Sequence, residues 1–419
     1  MASPLRPWAD LHVDLFTAIV DHLRSLRDYV SVRGVCAAWR SALPSASQCL
    51  LVLDDLQPPV SKPVQHLGFP LYNTRAYALS IPMQRTFHLP MLRWHSSSVI
   101  GSSRGYLTIA SAVDRRRPGV LLLNPVTGEQ IQLLPLPYKH YPYPRRVVLG
   151  PNPRPGCYTA VAIFYHEYAA EVAYVTSGDA EWTIARVGVN GAKLVDLIYN
   201  AERCRVYCLD EHGDVQVLHI PRCGRMQQEH TVTPLLADRV GPTFAPPYQA
   251  VSGKISFMRL FFCEGALYQA WQNTGVTMRF RLPAGGVFTM STDEILVLRY
   301  YPEQWPYWDV VKDLGGYSVF IGRNNTALVQ AEAVSGVRPN CVYWIDCMLC
   351  TPWVFEMSTR TSKRNEILVL RYYPERWPCW GAVKDLGGYS VFIGHKNTTM
   401  VQAEAALGDF DYFWHSASR

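Results

Sequence analysis

The sequence predicts a mainly β fold: a β-propeller preceded by a small all-α helical module. Three observations carry that prediction. Short runs rich in Val, Tyr and Ile fill the chain from about residue 95 onward, whereas the first 45 residues follow a helical period. In addition, one segment is written twice. "EILVLRYYPEQWPYWDVVKDLGGYSVFIG" begins at Glu294 and "EILVLRYYPERWPCWGAVKDLGGYSVFIG" at Glu366. Glu294–Ala333 and Glu366–Ala405 agree at 32 of 40 positions. Independent segments do not converge to that degree, so this reads as the duplication of one structural unit.

The helical part comes first. Leu15, Phe16, Ile19, Val20 and Leu23 form a stripe at i, i+1, i+4, i+5 and i+8, with Asp10 or Asp14 near the helix start. "SLRDYVSVRGVCAAWRSAL" places Leu26, Tyr29, Val30, Val32, Val35, Cys36 and Trp39 on apolar faces, broken by Gly34, before Pro44 and Ser45 end the block. Residues 1–45 therefore predict two or three short helices. That is too little to build a core alone, so the module needs the rest of the chain or another protein to pack on.

Residues 46–94 read as a linker with entry strands, and the β pattern comes after it. "YTAVAIFY" (158–165), "EVAYVT" (171–176), "CRVYCLD" (204–210) and "DVQVLHI" (214–220) are strand-like runs separated by turn clusters such as Glu211-His212-Gly213. "LLLNPVTGEQIQLLPLP" at 121–137 is a strand, an Asn-Pro/Thr-Gly turn and another strand. Many short strands with Gly/Pro turns mean a sandwich, barrel or propeller. A span this long exceeds an ordinary sandwich, and a propeller grows by adding blades, so length and repetition both fit it.

Composition narrows the function classes. The chain has 419 residues, 48% hydrophobic, 12% aromatic and 18% charged, which suits a large packed core and excludes a disordered chain. A net charge of +6 is small for this length, and the basic cluster Arg115-Arg116-Arg117 runs into Pro118-Gly119, a loop tip, so no nucleic-acid face is expected. "MASPLRPWADLHVDLF" carries charges where a signal peptide needs an apolar stretch, and no apolar run approaches the roughly 18 residues of a membrane span. The eleven cysteines follow no framework spacing and predict reduced thiols in a cytoplasmic or nuclear protein.

Two resemblances join these elements. "WADLHVDLFTAIVDHLRSLRDYVSVRGVCAAWRSALP" resembles an F-box, the helical module that docks onto a Skp-type adaptor of cullin–RING ubiquitin ligases. The pattern lies in Trp8, Leu11, Asp14-Leu15-Phe16, Ile19, Leu23 and "VCAAWR" at Val35–Arg40. The resemblance implies an adaptor-binding face of Leu11, His12, Leu15, Phe16, Ile19, Val32, Val35 and Trp39. His12 is a departure, because the family usually has proline there, which would fix the backbone entering the first helix. Residues 95–363 resemble the KIB-type, kelch-like β-propeller of plant F-box proteins, through "GSSRGYL" at 101–107, "LLNPVTGE" at 122–129, "VKDLGGYSVFIGRN" at 311–324 and "RPNCVYWID" at 338–346.

The two copies of the repeat continue differently. The first runs into "RPNCVYWID" and "TPWVFEMS", strands that finish such a domain. The second, in residues 364–419, is a partial duplicate of 292–347 that ends in "ALGDFDYFWHSASR". The first copy is therefore expected to complete the propeller and the second to be surplus.

The chemical motifs give no enzyme. "GSSRG" at 101–105 matches the Gly-x-Ser-x-Gly elbow with Ser103 as nucleophile, but that chemistry needs a following helix and "YLTIAS" is a strand, so a hairpin turn is expected. Cys341, Cys347 and Cys350, and the set Cys204, Cys208, His219 and Cys223, lack the paired spacing of a zinc site, so no metal and no cofactor are expected. Two classes remain. One is a non-catalytic substrate receptor, joined through a Skp-type adaptor to a cullin and holding an unidentified target protein, with neither nucleic acid nor membrane as partner. The other is a propeller enzyme or small-ligand binder whose helices are only a cap.

Overall fold

In the computed structural model the described residues are 8, 11–23, 25–43, 50–55, 75–80, 85–88, 97–111, 119–124, 127–135, 144–166, 169–187, 192–220, 230–236, 243–255, 257–322, 326–333, 337–345, 352–364, 370–372, 380–382, 389–393 and 398–402. Helices α1 (Val13–Asp21), α2 (Leu26–Gly34) and α3 (Ala37–Ala42) come first. Strands β1 (Leu50–Asp55), β2 (Arg75–Ser80) and β3 (Arg85–His88) then form an antiparallel sheet in the order β1-β2-β3.

Five further sheets succeed it, each a blade. Blade 1 is β4 (Ser97–Ser103), β5 (Tyr106–Ser111), β6 (Gly119–Leu123) and β7 (Gln130–Gln132). Blade 2 is β8 (Arg146–Leu149), β9 (Thr159–His166), β10 (Ala169–Thr176) and β11 (Thr183–Ala185). Blade 3 is β12 (Leu194–Asn200), β13 (Arg205–Asp210), β14 (Val215–His219) and β15 (Thr231–Pro234). A short helix α4 (Tyr248–Ser252) leads into blade 4, which holds β16 (Phe257–Cys263) and β17 (Ala266–Gln272). An inserted hairpin, β18 (Met278–Arg281) and β19 (Val287–Met290), precedes the blade's outer strands β20 (Ile295–Tyr300) and β21 (Trp308–Val310).

Blade 5 has five strands: β22 (Tyr317–Ile321), β23 (Thr326–Gln330), β24 (Cys341–Ile345), β25 (Pro352–Glu356) and β26 (Thr361–Arg364), in the order β23-β22-β24-β25-β26. The chain crosses over after β23, so β22 and β24 run parallel while their other neighbours are antiparallel. Blades meet through β4 and β8, β8 and β12, β12 and β16, and β16 and β23, which marks these as the inner strands. The expected mainly β propeller is what the structure shows, with three short helices before it.

Alternating side chains on each blade fill the layers between blades. Val120, Leu122, Leu149 and Ala162 close the layer between blades 1 and 2. Val161, Val172, Leu197 and Val206 close the next. Leu209, Leu260, Trp271 and Trp308 fill the space between blades 3 and 4, and Val297, Val319, Val342 and Phe355 that between blades 4 and 5. Each buried Val, Leu or Phe among them contributes about 1.5–3 kcal/mol by leaving water. A buried ion pair threads the inner strands of three blades. Arg146 Nε lies 2.8 Å from Asp196 Oδ1 and donates to the Leu197 carbonyl at 2.8 Å, while Asp196 Oδ2 accepts from the Leu260 amide at 2.6 Å. Gly213 has φ +87°, and a Cβ there would meet Phe244 and Trp271 at 3.0 Å, so the β13–β14 turn requires glycine.

The expectation for the repeat is corrected in one respect. It is not one unit of the fold: Glu294–Ala333 supplies the two outer strands of blade 4 and the two inner strands of blade 5. The Gly315-Gly316 turn, at φ +65° and +87°, is the passage between blades. In the second copy β27 (Leu370–Tyr372) pairs with β28 (Trp380–Ala382), and β29 (Tyr389–Ile393) with β30 (Thr398–Gln402).

Candidate functional site

Local chemistry sets each helix end. His12 caps α1 at φ −56° and ψ 136°, its ring Nδ1 accepting weakly from the Asp14 amide at 3.4 Å. Ser25 Oγ accepts from the Asp28 amide at 3.3 Å to start α2, and Cys36 Sγ accepts from the Trp39 amide at 3.4 Å to start α3.

The helices lie on blade 1. Phe16, Val20, Tyr29 and Leu43 are buried in one cluster with Leu107 and Ile109 of β5 and Leu121 and Leu123 of β6. The Phe16 and Trp39 rings stack at a tilt, 4.6 Å apart, which joins α1 to α3. Leu11, Val32 and Trp39 are half-buried against this cluster.

The sequence-predicted face is thereby divided. Phe16, expected on the adaptor face, is 3% exposed and belongs to the intramolecular core, because residues i and i+4 of α1 (Phe16 and Val20) point at blade 1. Leu15 and Ile19, one position earlier on the helix, form a second stripe and are 60% and 51% exposed. Val35, at the end of α2, is also exposed, as is Trp8. Val13, to which the sequence assigns no role, is exposed too; a single valine at a helix start gives no periodic signal. His12 sits beside this stripe, its side chain paired with exposed Asp14.

The remaining motifs resolve into structure. Ser103 ends β4, and Arg104-Gly105, at φ +52° and +79°, makes a two-residue hairpin turn into β5 rather than a strand-to-helix elbow. Ser103 Oγ accepts from the Leu149 amide at 3.0 Å, tying blade 1 to blade 2. Cys208 is buried at the centre of blade 3 and Cys341 in blade 5, and burial pushes both thiols up. Burial likewise raises Cys263 to about 11. Cys347, Cys350 and Cys223 lie outside the described residues. Among the described residues no group of three His, Cys, Asp or Glu could hold a metal, and no helix is long and apolar enough to cross a membrane.

On the propeller, Val276, Val287 and Trp305 of blade 4 expose large apolar side chains. Val276 precedes the inserted hairpin and Val287 begins its second strand, and the hairpin's Arg279 and Arg281 are exposed as well.

No curated protein matches the chain. Among solved structures, one titled "YCF48 bound to D1 peptide" is 10% identical, covering 78% of this chain and 85% of that one at a TM-score of 0.34. A puromycin-hydrolyzing peptidase of Mycobacterium tuberculosis is 12% identical, over 79% of this chain and 58% of that one, at a TM-score of 0.29. A GH74 xyloglucanase from Xanthomonas campestris is 10% identical, over 80% and 59%, at 0.25. Likenesses this distant carry no argument about activity. The family model for the KIB1-4 β-propeller matches residues 77–360, from inside β2, ahead of the boundary read at residue 95, to the turn before β26. It takes in the first copy of the repeat and stops short of the second, and by this match the chain belongs to the KIB1-4 β-propeller family.

Proposed function

We propose that the chain is the substrate-recognition subunit of a cullin–RING ubiquitin ligase of the Skp–cullin–F-box type. Its helices dock the Skp-type adaptor and its propeller holds a target protein. The observation that carries this reading is the division of α1. One apolar stripe, Phe16 and Val20, is spent on blade 1, and a second, Leu15 and Ile19, stays in water. A helix that served only as a cap would have no need of the second stripe, and the exposed residues are ones that the F-box resemblance assigns to the adaptor.

The chain does no bond chemistry in this scheme. Holding a target lysine near a charged conjugating enzyme raises its effective concentration, and that proximity is the catalytic contribution. Packing of α1 and α3 on blade 1 fixes the adaptor side relative to the target side, which such positioning requires. The exposed hairpin of blade 4, with Val276, Val287, Arg279 and Arg281, is a loop-borne surface suited to the target.

Co-purification tests the reading. The full chain, mixed with a Skp-type adaptor, is expected to run as one complex on size exclusion. Two separate peaks at micromolar concentration would contradict the assignment.

A further inference from the structure

The repeated segment is written twice, while blades 4 and 5 hold one place for it. Glu294–Ala333 is seated between two fixed edges. β20 pairs with β17 from Tyr268↔Arg299 to Gln272↔Ile295, and β22 pairs with β24 from Val319↔Val342 to Ile321↔Trp344. Among the described residues, every one this seat buries, from Glu294 and Ile295 through Trp308 and Ser318 to Ala331, recurs unchanged in the second copy, from Glu366 to Ala403. Eight positions differ. Two of them, 323 and 324, lie outside the described residues. The other six are exposed or half-buried: Gln304, Asp309 and Ala327 face water, and Tyr307, Val310 and Leu328 are half-covered.

The second copy also forms the same hairpins. Leu370↔Ala382 and Tyr389↔Gln402 repeat the registers Leu298↔Val310 and Tyr317↔Gln330. Among the described residues β27 and β29 carry no strand on the edges where β20 has β17 and β22 has β24, although β28 lies beside β3.

The chain also delivers the second copy to the seat. Ser362 Oγ donates to the Asp293 carbonyl at 2.8 Å, and Arg360 forms an ion pair with the buried Glu294 carboxylate at the entry of the first copy. Glu366, the counterpart of Glu294, lies four residues beyond Ser362, a reach of about 14 Å at most. The second copy therefore starts within a few residues of the place where the first one starts, at high effective concentration. Releasing the first copy leaves a longer loop between β17 and β24, and the cost of closing a loop rises only with the logarithm of its length.

We propose that Glu366–Ala405 is an alternative occupant of the seat filled by Glu294–Ala333, exchanging with it within one molecule. The duplication then gives the propeller two interchangeable segments, and the displaced one is a peptide available outside the ring. The exchange stands apart from adaptor docking and does not depend on it.

Full-length variants test it by thermal melting, with mass read by light scattering. Val297→Asp puts a charge at a buried position of β20, and Val369→Asp does the same to the second copy. The expected results are a single cooperative transition and a monomer for each single variant, and loss of the transition for the double variant. Val297→Asp losing its transition as fully as the double variant would overturn the proposal. So would a double variant that melts like the single ones, or a Val297→Asp protein that keeps its transition only as a dimer.

Discussion

Tyr106 ties blade 1 to blade 2 through one hydroxyl, which is bonded to the Glu129 carboxylate and lies 3.0 Å from the Pro153 carbonyl. Burial, and then the hydrogen bond and charge of Glu129, push its ionisation from 10.0 up to about 12. The unfolded chain loses this proton first. The stabilisation is therefore whole below pH 10 and is lost as pH rises toward 12. Tyr106→Phe is expected to cost about 1 kcal/mol at pH 7 in urea unfolding and to shrink the fall in stability above pH 10. An unchanged alkaline profile would mean that Tyr106 does not hold its proton in the fold. Nothing in the sequence points to this tie, because Glu129 reaches Tyr106 only when blade 1 has folded, and Pro153 only when blade 2 lies beside it.

At the scale of the element, α1 shows how far the sequence is legible. The i, i+4 spacing places its apolar residues on a helix, but Leu15 and Phe16 are equivalent in that pattern. Which stripe faces inward is decided by Leu107, Ile109, Leu121 and Leu123, about ninety residues or more away in sequence. The strands behave in the same way. β9, β10, β13 and β14 are readable because both faces are buried and their runs are nearly all apolar, whereas β23 and β26 give no such signal, "TSKR" being polar throughout. The division of α1 gives opposite outcomes for neighbouring residues. Phe16→Ala is expected to destabilise the protein by about 3–5 kcal/mol through the cavity it leaves, while Leu15→Ala changes stability by less than about 0.5 kcal/mol. Chemical denaturation of both variants would read the difference. The cap residue gives a further outcome. His12 has φ −56°, within reach of the proline ring, so His12→Pro is expected to tighten adaptor binding by about 0.4–1 kcal/mol through a more restricted free chain. Weaker binding in a titration would show that the His12 ring, with its cap to Asp14, matters more than the backbone restriction.

At the scale of the whole molecule, the propeller is readable from strand density and length, but the way the duplication lies across it is not. The repeat begins in the outer half of one blade and ends in the inner half of the next, because the partners of its edge strands, β17 and β24, fall outside it in sequence. A chain cut after Lys363 keeps the blade strands through β25, all of β26 except Arg364, and the layers of blades 1 to 5. It is expected to remain soluble and to melt in one transition, within a few degrees of the full chain. Aggregation on cutting would mean that residues beyond Lys363 are needed to cover the ring. In the proposed function the helices packed on blade 1 are the adaptor-docking element, so the whole proposal rests on adaptor binding. Calorimetric titration of a Skp-type adaptor into the full chain, beside its Leu15→Asp/Ile19→Asp variant, measures that binding. Saturable binding is expected for the parent and a loss of about a hundredfold or more for the variant, since two charges would enter an apolar contact, with the thermal transition of the propeller unchanged. Equal binding by both chains, or none by the parent, would contradict the receptor role.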